Sequence, residues 1–181
     1  MKQVGFYMDM QACYGCQTCE IGCKSQNKTP EGVRWRQVRS LDSESPKAHS
    51  TLSMGCNHCK NPECLRNCPV MAYTKREKDG LVIQDHDLCI GCQMCVMACP
   101  YGVPQYDPEE GKVSKCNGCY ERVDSGKLPR CAEVCPGKAL VFGDLAELQQ
   151  KHGKIDEIVG SPRSSITHPS IVIRPTAATR R

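Results

Sequence analysis

Sixteen cysteines stand in four groups of four, with none left over. Group one is Cys13, Cys16, Cys19 and Cys23, and group two is Cys56, Cys59, Cys64 and Cys68. Group three is Cys89, Cys92, Cys95 and Cys99, and group four is Cys116, Cys119, Cys131 and Cys135. Groups one and three share C-x2-C-x2-C-x3-C, while groups two and four share C-x2-C, a longer gap, then C-x3-C-P, so the four form an internal repeat. Three thiolates two residues apart let one tight loop wrap three corners of an iron–sulfur cubane while its backbone N–H groups point at the sulfides. The fourth corner needs a thiolate from elsewhere, which in two-cluster ferredoxins is the last cysteine of the other group, followed by proline. Cys68-Pro69, Cys99-Pro100 and Cys135-Pro136 have that form, in which proline removes an N–H and fixes the direction of the departing chain. Group one departs from it, with Lys24 after Cys23.

Competing chemistries fit less well. A tetrahedral zinc site has no place for a third cysteine two residues further on, and Cys19 and Cys95 are such cysteines. A disulfide scaffold belongs to secreted chains. Met1 to Met10 lacks an apolar core and a small-residue cleavage site, so no secretory leader is expected. A radical-enzyme cluster would want C-x3-C-x2-C, and Gln26 occupies the position after Cys19-x3-Cys23. No serine–histidine–acid set, phosphate loop or paired carboxylates can be identified, so no substrate chemistry and no catalytic residue is expected. The histidines (His49, His58, His86, His152, His168) are scattered and read as surface residues. Lys24, Arg66, Lys115, Arg130 and Lys138 flank ligands and could raise reduction potentials, whereas Tyr14, Tyr101 and Tyr120 read as packing that keeps water off the thiolates.

Composition agrees with metal-held structure. Only 39% of residues are hydrophobic, with two phenylalanines and one tryptophan, a thin core that metal–thiolate bonds could reinforce; the apo chain is expected to be largely unfolded. The formal charge of +4 counts every cysteine as neutral. Sixteen thiolates and four oxidised cores of about +2 each would bring the loaded protein to roughly −4, so the basic excess does not indicate a nucleic-acid partner. No apolar run reaches the roughly 18 residues needed to span a bilayer.

The elements that must position these groups are short. Gly5 to Asp9 and Leu140 to Phe142 read as strands beside groups one and four. Tyr73 to Lys75 and Leu81 to Ile83 read as a hairpin around Lys78-Asp79-Gly80, and Val33 to Val38 as a further strand. Asp144 to His152 reads as a helix with Asp144 as N-cap and Gly153 as stop. Residues 31 to 55 form the longest insertion and are placed on the surface. The stretch from 154 to 181, rich in proline, serine and threonine, reads as an extended arm, with Ile171, Val172 and Ile173 suited to strapping onto a partner. Ligand exchange between groups could be consecutive, one with two and three with four, or nested, one with four and two with three. Spacing leaves both open.

With the eleven-residue gap between Cys119 and Cys131, CIGCQMCVMACPYGVPQY from Cys89 to Tyr106, SKCNGCY from Ser114 to Tyr120 and IVIRP from Ile171 to Pro175, the chain resembles the iron–sulfur subunits of the dimethyl sulfoxide reductase type of molybdopterin oxidoreductase. That resemblance implies an α+β fold of two nested ferredoxin-like units, residues 1–30 with 108–153 and residues 51–107, with a surface insertion at 31–50 and the arm at 154–181. It implies four [4Fe–4S] clusters: Cys13, Cys16, Cys19 and Cys135; Cys23, Cys116, Cys119 and Cys131; Cys56, Cys59, Cys64 and Cys99; Cys68, Cys89, Cys92 and Cys95. The nitrate reductase relative has a tryptophan where this chain has Cys92, and its corresponding cluster has three irons. The implied role is a non-catalytic relay between a quinol-reactive membrane subunit and a molybdopterin catalytic subunit, attached to the membrane through its partner. The side of the membrane stays open, since folded export with a twin-arginine partner is compatible. A zinc-stabilised interaction module and a free-standing polyferredoxin are the alternative readings.

Overall fold

The computed structural model describes residues 2–41 and 50–181. Its elements are β1 (Val4–Asp9), α1 (Thr18–Asn27), β2 (Gln37–Ser40), β3 (Thr51–Met54), α2 (Glu63–Arg66), β4 (Tyr73–Lys75), β5 (Val82–Gln84), α3 (Met94–Ala98), β6 (Gln105–Asp107), β7 (Lys112–Ser114), α4 (Tyr120–Asp124), α5 (Arg130–Glu133), β8 (Leu140–Asp144), α6 (Leu145–His152) and β9 (Ile171–Arg174). Short strands and helices suit a sequence whose side chains supply little core between ligand loops.

The largest sheet has the order β8-β1-β9. β1, which precedes group one, runs antiparallel to β8, which follows group four, with Phe6 opposite Phe142. It runs parallel to β9, with Phe6 opposite Ile171. Residues from both ends of the chain thus meet in one sheet, whose inner side chains Phe6, Met8, Leu140, Ile171 and Ile173 pack around Cys19, Cys131 and Cys135. The hairpins β4–β5 and β6–β7 flank group three on either side in sequence. Helix α1 packs on α5 and α2 on α3, so each helix contact joins two cysteine groups.

The hairpin at Tyr73, the first strand and the capped helix lie where the sequence places them, because each carries a local signal. Asp144 accepts from the Ala146 and Glu147 N–H groups and starts α6. Two expectations change. The arm does not stay extended for a partner: Ile171, Val172 and Ile173 are buried in this chain's own sheet, where burying three β-branched side chains outweighs leaving them in water. Residues 31–55 are not simply surface. Val33, Arg36, Leu52 and Ser53 are buried, and the strand expected at Val33–Val38 begins only at Gln37. Before it, Val33 N–H donates to Pro30 O in a turn and Trp35 Nε1 to Ser114 Oγ, which takes these residues out of a ladder. Residues 42–49, which include His49, lie outside the described residues.

Candidate metal centres

All sixteen cysteines are free thiols. The loops that carry them repeat one backbone device. The residue just before the second cysteine of each group is left-handed: Gly15 at φ 73°, His58 at 42°, Gly91 at 69° and Gly118 at 70°. This reverses the chain within the C-x2-C step and turns N–H groups toward sulfur. His58 N–H lies 3.4 Å from Cys56 Sγ and Gly118 N–H 3.4 Å from Cys116 Sγ. Ala72 N–H reaches Cys68 Sγ at 3.3 Å and Val113 N–H reaches Cys89 Sγ at 3.4 Å. Such N–H···S bonds favour the ionised thiolate, the form that binds metal. In groups one and three a second left-handed residue, Gln17 or Gln93, then opens the helix that carries the third cysteine.

Folding gathers thiols from distant groups. Cys13, Cys16, Cys19 and Cys135 line one small cavity, together with Tyr14, Val38, Pro136 and Leu140. Cys56, Cys59, Cys64 and Cys99 line another, beside Pro62, Pro100, Tyr101 and Val103. Cys23 is surrounded by Cys116, Cys131 and Cys119, and burial followed by these neighbours pushes its thiol well up, against the pull of Arg36. Cys95 lies with Cys89 and Cys68, its thiol raised by burial, and Cys92 sits exposed at the rim of the same loop. Burial, then neighbouring sulfurs, likewise push Cys64 up to about 12. Packed thiols whose ionisation is resisted by burial and by one another form a donor set that a cationic core would satisfy. Among the described residues, no three His, Cys, Asp or Glu side chains converge closely enough for a single metal ion.

Neighbouring sets are close to one another. Cys56 of one set acts on Cys116 of another. Tyr73 is buried beside Cys95, Cys64 and Cys89. Groups one and three each expose one cysteine, Cys16 and Cys92, while all of group four is buried.

The flanking cations divide. Lys24 Nζ donates to the carbonyls of Thr29 and Pro30, Arg66 pairs with Glu63 and Arg130 with Glu133, all at or near the surface. Lys115 alone among those five is buried, its ammonium on the carbonyls of Val82 and Cys116. Tyr101 donates to or accepts from Thr167 Oγ1 at 3.2 Å over the group-two cavity, whereas Tyr14 is largely exposed.

His58 is not a surface residue. It is 2% exposed; burial and the charges of Lys115 and Lys75 hold its imidazole neutral. Nδ1 accepts from Val82 N–H at 3.0 Å, which leaves the proton on Nε2, 4.0 Å from Cys116 Sγ. The signal in the sequence is positional: His58 fills a place that is glycine in the other three loops. A second residue missed by sequence reasoning is Arg36, buried between Cys19 and Cys131.

Residues 48–145 match the 4Fe–4S dicluster domain family. The protein is 46% identical over 189 residues to the probable anaerobic dimethyl sulfoxide reductase subunit YnfG of Escherichia coli K12, covering 98% of this sequence and 91% of the relative. It is 45% identical, with the same coverage, to the B subunit of anaerobic dimethyl sulfoxide reductase from that organism. It is 37% identical over 185 residues to the B subunit of polysulfide reductase from Wolinella succinogenes, covering 96% of this sequence and 95% of that one.

Proposed function

We propose that this protein, which belongs to the 4Fe–4S dicluster iron–sulfur subunits of dimethyl sulfoxide reductase type complexes, holds four [4Fe–4S] clusters and relays electrons between a quinol-reactive membrane subunit and a molybdopterin catalytic subunit. The observation that carries the reading is the gathering of thiols from separate groups around cavities instead of points. Sulfurs on one zinc ion would stand only about 3.8 Å apart, given Zn–S bonds of about 2.3 Å.

The ligand sets are Cys13, Cys16, Cys19 and Cys135; Cys23, Cys116, Cys119 and Cys131; Cys56, Cys59, Cys64 and Cys99; and Cys68, Cys89, Cys92 and Cys95. This is the nested exchange, with one unit from residues 1–30 and 108–153 and another from 51–107. The pairing of β1 with β8 and the helix contacts α1 on α5 and α2 on α3 support it. When bound, each cluster supplies a site that takes up and returns one electron with little rearrangement. The protein's own residues do the rest. Backbone N–H groups hold the thiolates, Phe6, Leu140, Tyr73 and Val103 exclude water, and the close succession of sets gives electrons a path. Exposed Cys16 and Cys92 mark the two ends at which partners would approach, the group-one end toward the molybdenum cofactor.

Among the described residues no helix is long and apolar enough to cross a membrane, so attachment runs through the membrane subunit. Anaerobic purification should yield about sixteen irons per protein, four for each set. A value near twelve would remove one set from the reading, and a colourless zinc protein would end it.

A further inference from the structure

Arg36 is 3% exposed and lies over the Phe6 ring, its guanidinium carbon 5.0 Å from the centroid. Nη1 donates to Ser53 O and to Ser53 Oγ, both at 3.1 Å. Ser53 Oγ in turn stands 3.2 Å from Cys19 Sγ. The Cys131 thiol lies beside the guanidinium and is the strongest of the thiols acting on it, and Cys116, Cys19 and Cys23 share its field. Among the described residues no carboxylate lies within ion-pair distance of it. A buried cation is tolerated only where anions offset its lost hydration. The anions in reach are thiolates of two different ligand sets.

We propose that Arg36 sets the reduction potentials of the two clusters it lies between, the one on Cys13, Cys16, Cys19 and Cys135 and the one on Cys23, Cys116, Cys119 and Cys131. Adding an electron at either set makes it more negative by one, with no bond made or broken. A fixed positive charge inside the protein favours that added charge, so the reduced form is stabilised at both sets and electrons pass between them without a steep drop. Arginine suits this place because it stays charged at any working pH. Lys115, the buried cation near Cys56 and Cys64, has its ammonium bound by the carbonyls of Val82 and Cys116 instead. The inference rests on the four-cluster reading: wild-type protein lacking cluster signals would sink that reading and leave nothing here to measure.

The test is a redox titration of the loaded complex, followed by electron paramagnetic resonance, with signals assigned through single Cys→Ser variants. Arg36→Gln keeps a donor for Ser53 and removes the charge. It should lower the midpoint potentials of the two flanking clusters by about tenfold in the reduction equilibrium, roughly 59 mV for a one-electron couple, and leave the other two unmoved. Arg36→Lys should keep all four near wild type. Unchanged potentials in Arg36→Gln, an equal shift in all four, or the same shift in Arg36→Lys would each overturn the proposal. Should Arg36→Gln fail to retain its iron, the iron content of Arg36→Lys decides. Full retention means the site requires the charge, whereas equal loss means it requires only the arginine shape, and the proposal falls.

Discussion

The loops Cys13–Cys19 and Cys89–Cys95 repeat one local plan. Each has an aspartate four residues ahead, Asp9 or Asp85, whose side chain accepts a backbone N–H two residues on. Each has a left-handed glycine at the third place and a left-handed glutamine at the fifth. Their surroundings differ. The group-one loop leaves β1, which is held on one side by β8 and on the other by β9, and Asp9 is tied to Arg174 at the far end of the sequence. The group-three loop follows a two-stranded hairpin, Asp85 is exposed, and the rim around it shows Leu88, Ile90, Met94 and Met97 to solvent. Local sequence therefore shapes a ligand loop, while the tertiary frame decides how firmly it is held. Variants at matched positions of the two loops can break that statement or sharpen it.

The largest effect is expected in the frame of group one. Val172 in β9 is fully buried against Tyr7 and Leu148. Val172→Asp would bury a carboxylate with no partner, at a cost of about 4 kcal/mol or more. Iron should fall by about eight per protein, the two sets that share the β1–β8 frame, while the group-two and group-three sets keep theirs. Loss of all sixteen together would mean that the two regions fold as one unit and that the comparison has no energetic content.

One step smaller are the exposed cysteines. Cys92→Ser and Cys16→Ser should each damage only their own cluster, giving a three-iron or oxygen-ligated form, with three paramagnetic signals intact. The side chains are at the rim, so no core packing is lost with them. Disappearance of a second signal in either variant would show coupling between sets through folding.

The glycines invert the ranking of the two loops. Gly15 and Gly91 have nearly the same φ, so an alanine at either incurs the left-handed penalty of about 1–2 kcal/mol. A Cβ at Gly15 would meet the Thr51 side chain at 3.4 Å, an ordinary contact, whereas one at Gly91 would fall 2.0 Å from Gly111 O, a backbone atom in the β6–β7 turn. Gly91→Ala should therefore cost about 1–3 kcal/mol more than Gly15→Ala, read from urea midpoints of the loaded protein. Equal midpoints would mean that the turn at Gly111 yields freely.

How much of this was legible depended on the range of each signal. Cysteine spacing and Cys-Pro pairs mark the ligands within a few residues, and Asp79-Gly80 and Asp144 mark a hairpin and a helix start just as locally. Arg36 gives no such mark. In its stretch of sequence it reads as one solvated cation among several, since its partners Ser53 and Cys131 come from other elements. Ile171 to Ile173 announces a buried strand but not whose sheet it joins, because its neighbour β1 lies at the opposite end of the sequence. His58 lay between these cases: its place in the repeat was visible, but its burial against Val82 required the fold.

The smallest expected effect concerns the aspartates ahead of the loops. Asp9 Oδ1 accepts from Gln11 N–H at 2.9 Å and Ala12 N–H at 3.1 Å, and Oδ2 accepts from Tyr7 OH at 3.1 Å and Arg174 Nη1 at 3.2 Å. Burial pushes this carboxyl up, but the Tyr7 hydroxyl, the two amides and Arg174 together outweigh it and hold the carboxyl below its usual range. A carboxyl lowered in the folded state stabilises the protein above its unfolded value of about 3.9, and that contribution is lost as pH falls through the lower folded value. Asp9→Asn still offers one oxygen to the Gln11 and Ala12 amides but nothing that Tyr7 and Arg174 can both donate to. It should cost about 1–2 kcal/mol at pH 7, the scale of hydrogen bonds to a charged group. The cost should shrink toward zero once the wild-type carboxyl is itself protonated. Asp85→Asn, exposed and bonded to a single amide, should change stability by about 0.5 kcal/mol or less. Thermal midpoints of wild type and both variants, taken from pH 7 downward to well below pH 4, with retention of the group-one signal followed at neutral pH, measure the difference. Equal losses in the two would show that Asp9 works only as a turn former, and that its tie to Arg174 across the sheet contributes nothing to holding the group-one loop.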